Sequence, residues 1–331
     1  NNTTYQFQLY EYSDKDIRND KLITQDIDLL LIPGGGIGDG HSISKGFTLF
    51  PTTKKWKKNI KQYIKNGGGC LGICGGTSLI TPLSTGETTK PTTFVERQYN
   101  KSSLGISAVY SYYKNLAFPL LYPFQYKHPE NIGTTAYVFS YKPGITTNGK
   151  HIHTGGIPLD FTVDNTHPIF KDYPKKTLRM RWWGGPALLT PSATNRSIKT
   201  IAIYPKNELH LQKNTRIHAW RYTGGITGLI KGCMKALHFI KNNALNLTEL
   251  PMLTYYFAGN WQPTKTPIES DLANRPAIIT EIYPNSKKGR IALCTTHPEY
   301  MIWYNGHIQE VNNTFNCLAH GFYQWKDIKP F

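Results

Sequence analysis

Acidic side chains are scarce in this 331-residue chain, which carries 21 Asp and Glu against 38 Lys and Arg. The formal net charge of +17 at pH 7 favours an anionic partner or surface, such as nucleic acid, acidic glycans, anionic lipid or an acidic protein. No zinc-finger spacing or RNA-binding aromatic signature accompanies the basic residues, so no specific nucleic-acid motif is present. The charge alone leaves the choice among these anions open.

Cysteine is also rare, with five residues and no Cys-x-x-Cys pair, which argues against a zinc ribbon or a thioredoxin motif. The odd number leaves at least one thiol outside any disulfide. His151 and His153 could place two metal ligands on one strand face, but no carboxylate or cysteine stands at a matching spacing. The sequence therefore predicts neither a metal nor a cofactor.

Long apolar runs are missing, and nothing approaches the roughly 20 residues that span a bilayer. The chain as given is therefore expected to be soluble. It begins at Asn1 without a methionine and contains six Asn-x-Ser/Thr sites. These features slightly favour an exported or organellar protein whose N-terminal segment has been removed, although the compartment stays open.

The first eighty residues alternate predicted strands with predicted helices. A basic helix over 53–66 would bury Trp56, Ile60, Tyr63 and Ile64 on one face and expose its lysines. This order of elements indicates an α/β sheet whose site lies at the carboxyl ends of the strands. The other segments are an alternating strand at 5–13, a strand buried on both faces at 26–33 ("DIDLLLIP"), a short strand in "GGCLGI", and a helix that opens in "GGTSLIT".

The rest of the chain is read more coarsely. Residues 156–190 are predicted to form strands separated by turns, and residues 226–243 an amphipathic helix. Residues 275–300 form a two-strand unit with "NSKKG" as its turn. One helix is expected near 101–114. We find no internal repeat and no linker, so the simplest organisation is one elaborated domain over 1–331.

"GGGCLGICGGTS" at residues 67–78 places Cys74 between glycines, directly after an apolar run. A nucleophile at a strand-to-helix turn needs such small neighbours, because the turn crowds the residues on either side. The amide of Gly75 would then point to where an oxyanion forms, and the loop at 34–36 could supply a second donor. Two other interpretations stay open: a buried glycine-rich bend, and a redox thiol with Cys70 as its resolving partner.

"ALCTTHPEY" near the end of the chain supplies the other groups that a cysteine nucleophile requires. His297 follows an apolar strand and could act as the base that activates the thiol. Glu299 could orient the imidazole, which is the third role in a catalytic triad. By itself, His-Pro-Glu is typical of a surface turn.

Together these motifs resemble the class I glutamine amidotransferase-like superfamily. Within it the chain is most similar to the amidotransferase-like N-terminal domain of eukaryotic biotin-protein ligases and its stand-alone prokaryotic relatives. The resemblance covers roughly 5–80 and 156–300 of the chain. The matching segments are "LLIPGGG", "IKNGGGCLGICGGTSL", "RMRWWGGPALL" and "RPAIITEIYPNSKKGRIALCTTHPEY".

The resemblance implies a flavodoxin-like, open and mostly parallel sheet with helices on both faces, elaborated by insertions. The unmatched parts are insertions at about 81–150 and 191–250 and a C-terminal extension at 301–331. The family's opening strand and helix are not found. Either they precede residue 1, or another segment or another chain completes the sheet.

The resemblance also implies roles for individual residues: Cys74 as nucleophile, His297 as base and Glu299 as the third triad member. Where ordinary glutamine amidotransferases have a glutamine after the cysteine, this chain has Ser78, which puts glutamine as substrate in doubt. The prediction is a cysteine-dependent, amidotransferase-like hydrolase of a small amide or acyl substrate. The alternative is a non-catalytic binding or structural protein that keeps the fold. The oxyanion hole would comprise Gly35 and Gly75, and the substrate cleft Gly34, Gly36, Trp183, Gly184 and Gly185.

Overall fold

The computed structural model contains both helices and strands. The described residues are 8–34, 51–84, 97, 100, 103–112, 138–141, 144–145, 151–152, 157–182, 185–206, 217–222, 225–242, 247, 250, 254, 261–263, 272–284, 289–298, 302–304, 307–310 and 325. The α-helices are α1 (Asp14–Arg18), α2 (Lys21–Thr24), α3 (Pro51–Lys65), α4 (Gly75–Ile80) and α5 (Gly225–Asn242). The strands are β1 (Leu29–Ile32), β2 (Gly69–Ile73), β3 (Leu83–Ser84), β4 (Tyr110–Tyr112), β5 (Val138–Tyr141), β6 (Gly144–Ile145), β7 (His151–Ile152), β8 (Ile157–Val163), β9 (Thr177–Trp182), β10 (Ala187–Leu189), β11 (Ile198–Ile203), β12 (Ile217–Tyr222), β13 (Trp261–Pro263), β14 (Pro276–Ile282), β15 (Arg290–Cys294), β16 (Ile302–Tyr304) and β17 (His307–Glu310).

The main sheet has seven strands in the order β1-β2-β15-β14-β11-β8-β9. β1, β2 and β15 pair in parallel, whereas every other neighbouring pair in this sheet is antiparallel. The α/β class is therefore confirmed, but the sheet that the structure describes is not mostly parallel. One cause is the connection between β14 and β15, because the seven residues 283–289 are too few for the crossover that parallel strands need.

The two faces of the main sheet bury two separate hydrophobic clusters. One cluster contains all of the clustered residues from α1 to α4, including Ile60 and Ile64 of α3. The other contains Phe161, Met180 and Trp182 from the strands, together with the 3₁₀ turn Pro168–Phe170. Within the described residues, then, α-helices cover one face of this sheet rather than both.

The basic helix predicted over 53–66 is confirmed as α3. Its apolar side chains Trp56, Ile60, Tyr63 and Ile64 are all buried, and most of its lysines are exposed. Asn59 is buried on the same helix and donates hydrogen bonds to Ile17 O and Asp20 Oδ1, both at 2.7 Å. The helix therefore packs on the sheet by its apolar face and is tied to α1 and α2 by one polar side chain.

Two predicted elements at the start of the chain differ in the structure. Residues 8–13 of the predicted strand at 5–13 form no strand, and Leu9 is 91% exposed. Ser13 instead caps α1 in a capping box with Asp16. β1 is present as predicted but is not buried on both faces, because it is an edge of the described sheet and leaves Leu31 38% exposed.

The helix expected near 101–114 is also wrong for its described part. Residues 103–109 form an irregular segment, and β4 follows it. The amides of Leu104 and Ile106 donate to Leu79 O and Ile80 O, at 2.7 and 3.1 Å. These contacts with the end of α4 satisfy the backbone in place of helical hydrogen bonds, while both side chains are buried in the core.

The predicted strands in 156–190 are confirmed as β8, β9 and β10, and the predicted helix at 226–243 as α5. Three smaller groups of strands join β3, β4 and β10; β5, β12 and β13; and β16 with β17, while β6 pairs with β7. No helix in the described part of the chain has the length and apolar character needed to cross a membrane.

The buried side chain of His167 should make the stability of the protein depend on pH. Burial lowers the pKa of its imidazole to about 4, with Lys199 adding to the decrease and Asp164 opposing it. The unfolded chain takes up this proton near pH 6.5 while the folded protein stays neutral, so stability falls as the pH drops from about 6.5 to about 4. We expect His167→Gln to flatten the free energy of unfolding over this interval, measured by urea denaturation. His238→Gln, at a histidine exposed on α5, is the control. An unaltered slope in His167→Gln would contradict the assignment.

Candidate active site

Cys74 lies on the sharp turn between β2 and α4, with φ 48° and ψ −111°. Residues other than glycine rarely adopt a positive φ, and such a conformation persists only where the surrounding structure enforces it. The strand, the turn and the helix that the glycine pattern predicted are all present. The cysteine therefore occupies a strained turn rather than an ordinary position in a strand or helix.

The carbonyl of Cys294 at the end of β15 holds this turn. It accepts a hydrogen bond from Cys74 N at 2.7 Å and lies 2.8 Å from Thr77 Oγ1. The same hydroxyl lies 2.9 Å from Gly72 O, and α4 begins with a bond from Ser78 N to Cys74 O at 3.3 Å. β2 and β15 are thus both connected to the first residues of α4.

Small residues around Cys74 are required by the close packing of α4. A Cβ atom on Gly76 would lie 2.1 Å from Ile32 O, which is backbone of β1. A Cβ atom on Gly72 would lie 2.5 Å from the Ile80 side chain and 3.0 Å from Thr77 Cα. These contacts give a physical reason for the glycines that the sequence places on either side of the cysteine.

His297 is brought to the same place from the other end of the chain. Its backbone N donates to Arg181 O at 2.7 Å, in an isolated antiparallel bridge to β9. A Cβ atom on Gly34 would lie 2.5 Å from His297 Cε1, 3.1 Å from His297 Nδ1 and 3.0 Å from Cys74 Cβ. The imidazole of His297 and the side chain of Cys74 therefore both lie next to Gly34, the residue that follows Pro33.

Gly185 packs on the backbone that leads to His297. A Cβ atom there would lie 1.8 Å from Thr295 O, and its own carbonyl accepts a hydrogen bond from Trp182 Nε1 at 2.8 Å. Tyr204 Oη lies 2.7 Å from Thr295 Oγ1 and donates to Pro186 O at 3.0 Å. Gly185, one of the glycines of the predicted cleft, thus allows a close approach of two backbone segments beside the site.

Both Cys74 and His297 are nearly inaccessible, since Cys74 is 7% exposed and His297 is 3% exposed. Gly34, Gly75 and Gly185 lie in the described part of the chain. Five other predicted site residues lie outside the described residues. They are Gly35, Gly36, Trp183, Gly184 and Glu299.

Cys70 does not lie where a resolving thiol would have to be. Its side chain belongs to the cluster under the helices, whereas Cys74 belongs to the cluster on the opposite face of the sheet. Burial raises the pKa of the Cys70 thiol to about 12, which leaves little thiolate at neutral pH. Cys70 is therefore a core residue, and Cys294 is also buried. Among the described residues, Cys70, Cys74, Cys233 and Cys294 carry thiols, and Cys317 lies outside them.

Sequence reasoning missed two contributions to the site. Thr77 supplies the hydroxyl that connects the turn at Cys74 to β2 and β15. Its position three residues after the cysteine was the only sequence signal for this role. Arg181 contributes its backbone carbonyl to the placement of His297, which no residue pattern encodes. Within the described ranges no group of three or more His, Cys, Asp and Glu side chains is arranged to hold a metal ion.

Comparison with known proteins adds no assignment to this geometry. No protein-family model matches the chain, and no curated protein matches its sequence.

Proposed function

We propose that this protein is a cysteine-dependent hydrolase of the amidotransferase-like type, acting on a small amide or acyl compound. The observation that carries the proposal is the strained Cys74 turn with the His297 imidazole beside it at Gly34. A cysteine on relaxed backbone would have no positive φ, and backbone strain of this kind clusters at active sites. The resemblance to the amidotransferase-like domain of biotin-protein ligases supports the same assignment.

The proposed reaction is acyl transfer in two steps. Cys74 Sγ bonds to the substrate carbonyl carbon while its proton passes to His297, and the proton then goes to the leaving group as its bond to carbon breaks. Water then attacks the resulting thioester: its hydroxyl group bonds to the acyl carbon as the carbon–sulfur bond breaks, and its other proton passes through His297 to Cys74 Sγ. The amides of Gly75 and Gly35 are proposed to stabilise the oxyanion, and Glu299 to orient the imidazole.

The parallel arrangement of β1, β2 and β15 supports this location for the site. Cys74 and His297 follow the carboxyl ends of β2 and β15, and Gly34 follows that of β1. In open α/β sheets ligands bind outside the carboxyl ends of parallel strands. A flavodoxin-like parent fold with an antiparallel extension is the arrangement that we propose for this sheet.

The burial of both side chains favours a second candidate, a non-catalytic binding protein that keeps the fold. A nucleophile must be reached by its substrate, whereas a structural Cys-His contact needs no access. The two candidates differ in the reactivity of the Cys74 thiol. Acyl transfer requires a thiolate at neutral pH, and a structural cysteine does not.

Alkylation of Cys74 by iodoacetamide at pH 6, followed by peptide mass spectrometry, separates the candidates. We expect labelling at least tenfold faster than that of an ordinary thiol, and at least a tenfold loss in His297→Ala, because the imidazole takes up the thiol proton. His238→Ala is the matched control, since it removes an exposed histidine of α5. Equally slow labelling in the wild type and in His297→Ala would reject the hydrolase and leave the binding protein.

A further inference from the structure

Helix α5 presents an apolar stripe that no part of the described chain covers. Ile226, Ile230 and Met234 follow one another at intervals of four, and their exposed fractions are 57%, 61% and 65%. Leu237 continues the stripe and is 39% exposed. Large apolar side chains that are exposed one beside another on a soluble protein mark a site of interaction.

A basic strip runs along one side of this apolar stripe. At 100° per residue, Lys231, Lys235 and His238 lie on the face next to Ile230 and Met234, and they are exposed. Lys241 lies at the C-terminal end of the stripe itself. No Asp or Glu occurs in Gly225–Asn242, and the whole chain has a formal charge of +17. The occupant of this surface must therefore combine an apolar phase with negative charge.

The third face of α5 packs within the protein. Gly232, Ala236 and Ile240 are buried and lie at intervals of four on the side of the helix away from the lysines. The helix is therefore held over residues 232–240 while the apolar stripe and the basic strip stay exposed. Such a partition of one helix into buried, apolar and basic faces suits attachment along the helix rather than insertion of its end.

A second copy of this chain fits the surface poorly. Pairing of two α5 helices through the apolar stripe would bring Lys231 and Lys235 of each copy close to those of the other, with no acidic side chain on the helix to compensate. An acidic protein would need a groove shaped to four side chains that protrude from a convex helix. A fluid lipid surface accommodates protruding side chains without a matching shape, and its anionic headgroups meet the lysines.

We infer that α5 docks this protein on the surface of an anionic lipid membrane, with Ile226, Ile230, Met234 and Leu237 inserted between the headgroups. The helix lies in the plane of the membrane, Lys231 and Lys235 contact the headgroup charges, and the buried face of α5 remains on the protein. This attachment is independent of the Cys74 chemistry, so the two proposals succeed or fail separately.

Vesicle flotation of the full chain tests the inference. Wild-type protein should float with vesicles of equal parts phosphatidylcholine and phosphatidylserine, and much less with phosphatidylcholine alone. The Ile230→Gln/Met234→Gln variant should bind these vesicles at least about tenfold more weakly than the wild type, because two apolar side chains no longer enter the lipid. Lys231→Gln/Lys235→Gln should lose about fivefold per lysine on anionic vesicles only.

Leu9→Gln is the matched control, because it removes an apolar side chain that is 91% exposed outside α5. It should float like the wild type, and all variants should keep the wild-type thermal melting curve. Wild-type flotation of Ile230→Gln/Met234→Gln would overturn the inference, since the general charge of the chain would then explain the binding. Absence of flotation would also overturn it, leaving an acidic protein as the occupant. Self-association in size-exclusion chromatography that the same double variant abolishes would overturn it in favour of a second copy.

Discussion

Gly185→Ala is expected to destabilise the protein by about 3 kcal/mol, the upper part of the range for overpacking, or more. The added Cβ would lie 1.8 Å from Thr295 O, and backbone cannot rotate away as a side chain can. Two further contacts hold Thr295 in place: its N donates to Ala277 O at 3.1 Å, and its hydroxyl lies 2.7 Å from Tyr204 Oη. The measurement is urea denaturation followed by tryptophan fluorescence.

Gly225→Ala separates this clash from the ordinary cost of a side chain on a left-handed backbone. Gly225 has φ +58°, but a Cβ there would meet nothing within 4 Å. Its replacement should cost only about 1 to 2 kcal/mol. The folded fraction of Gly185→Ala should also alkylate more slowly at Cys74, because Thr295 leads directly to His297. Similar stability of the two alanine variants would mean that the segments at 185 and 295 separate at little cost.

Arg196→Met is expected to destabilise the protein by about 3–5 kcal/mol, the range for breaking a buried ion pair from one side. Arg196 pairs with Glu281, whose side chain has no exposed surface. The same carboxylate accepts hydrogen bonds from Ser107 Oγ and, at 3.2 Å, from Ala108 N. Without the guanidinium, a buried negative charge would remain inside the core that holds β14 and the 103–109 segment together.

The double variant Arg196→Met/Glu281→Gln identifies the cause. The amide oxygen that it introduces at position 281 can still accept hydrogen bonds from Ser107 and Ala108 but carries no charge. Much of the stability that Arg196→Met loses should therefore return. Urea denaturation of the wild type, both single variants and the double variant gives the coupling free energy. Additive losses would mean that Arg196 stabilises the protein through its other contacts, which are the hydrogen bond from Nη1 to Ile106 O and its position 5.4 Å from the centre of the Tyr283 ring.

The elements around Cys74 could be predicted because their signals are local. An apolar run predicts β2, and the glycines after it predict the turn. Lysines placed between Trp56 and Ile60 and around them predict the amphipathic helix α3. The approach of His297 could be predicted as a hypothesis, because it follows an apolar strand as Cys74 does. In each case the residues that decide the element are neighbours in sequence, so their pattern carries the information.

The other half of the sheet could not be predicted, because its pairing depends on residues far apart in sequence. Nothing in "RMRWW" shows that Arg181 will receive the His297 amide, or that β8 and β9 pair antiparallel at the opposite edge from β1. Residues 8–13 alternate like a strand but find no partner strand, and 103–109 satisfies its amides on the end of α4 instead of forming a helix. Tertiary contacts therefore override the local pattern at these places.

The position of β15 has a consequence for the order in which the protein assembles. β15 is the last strand of the main sheet in the chain, yet it lies between β2 and β14, and 217 residues separate Thr77 from Cys294. At ordinary rates of translation, roughly ten to forty seconds pass between the synthesis of these two residues. During that interval the β1-β2 pair and the strands from β8 onwards share no hydrogen bonds within this sheet. Closure of such a long loop is entropically costly and slow, so insertion of β15 is the step that joins the two halves and brings His297 to the thiol. A nascent chain therefore completes the main sheet and brings His297 to Cys74 in the same event.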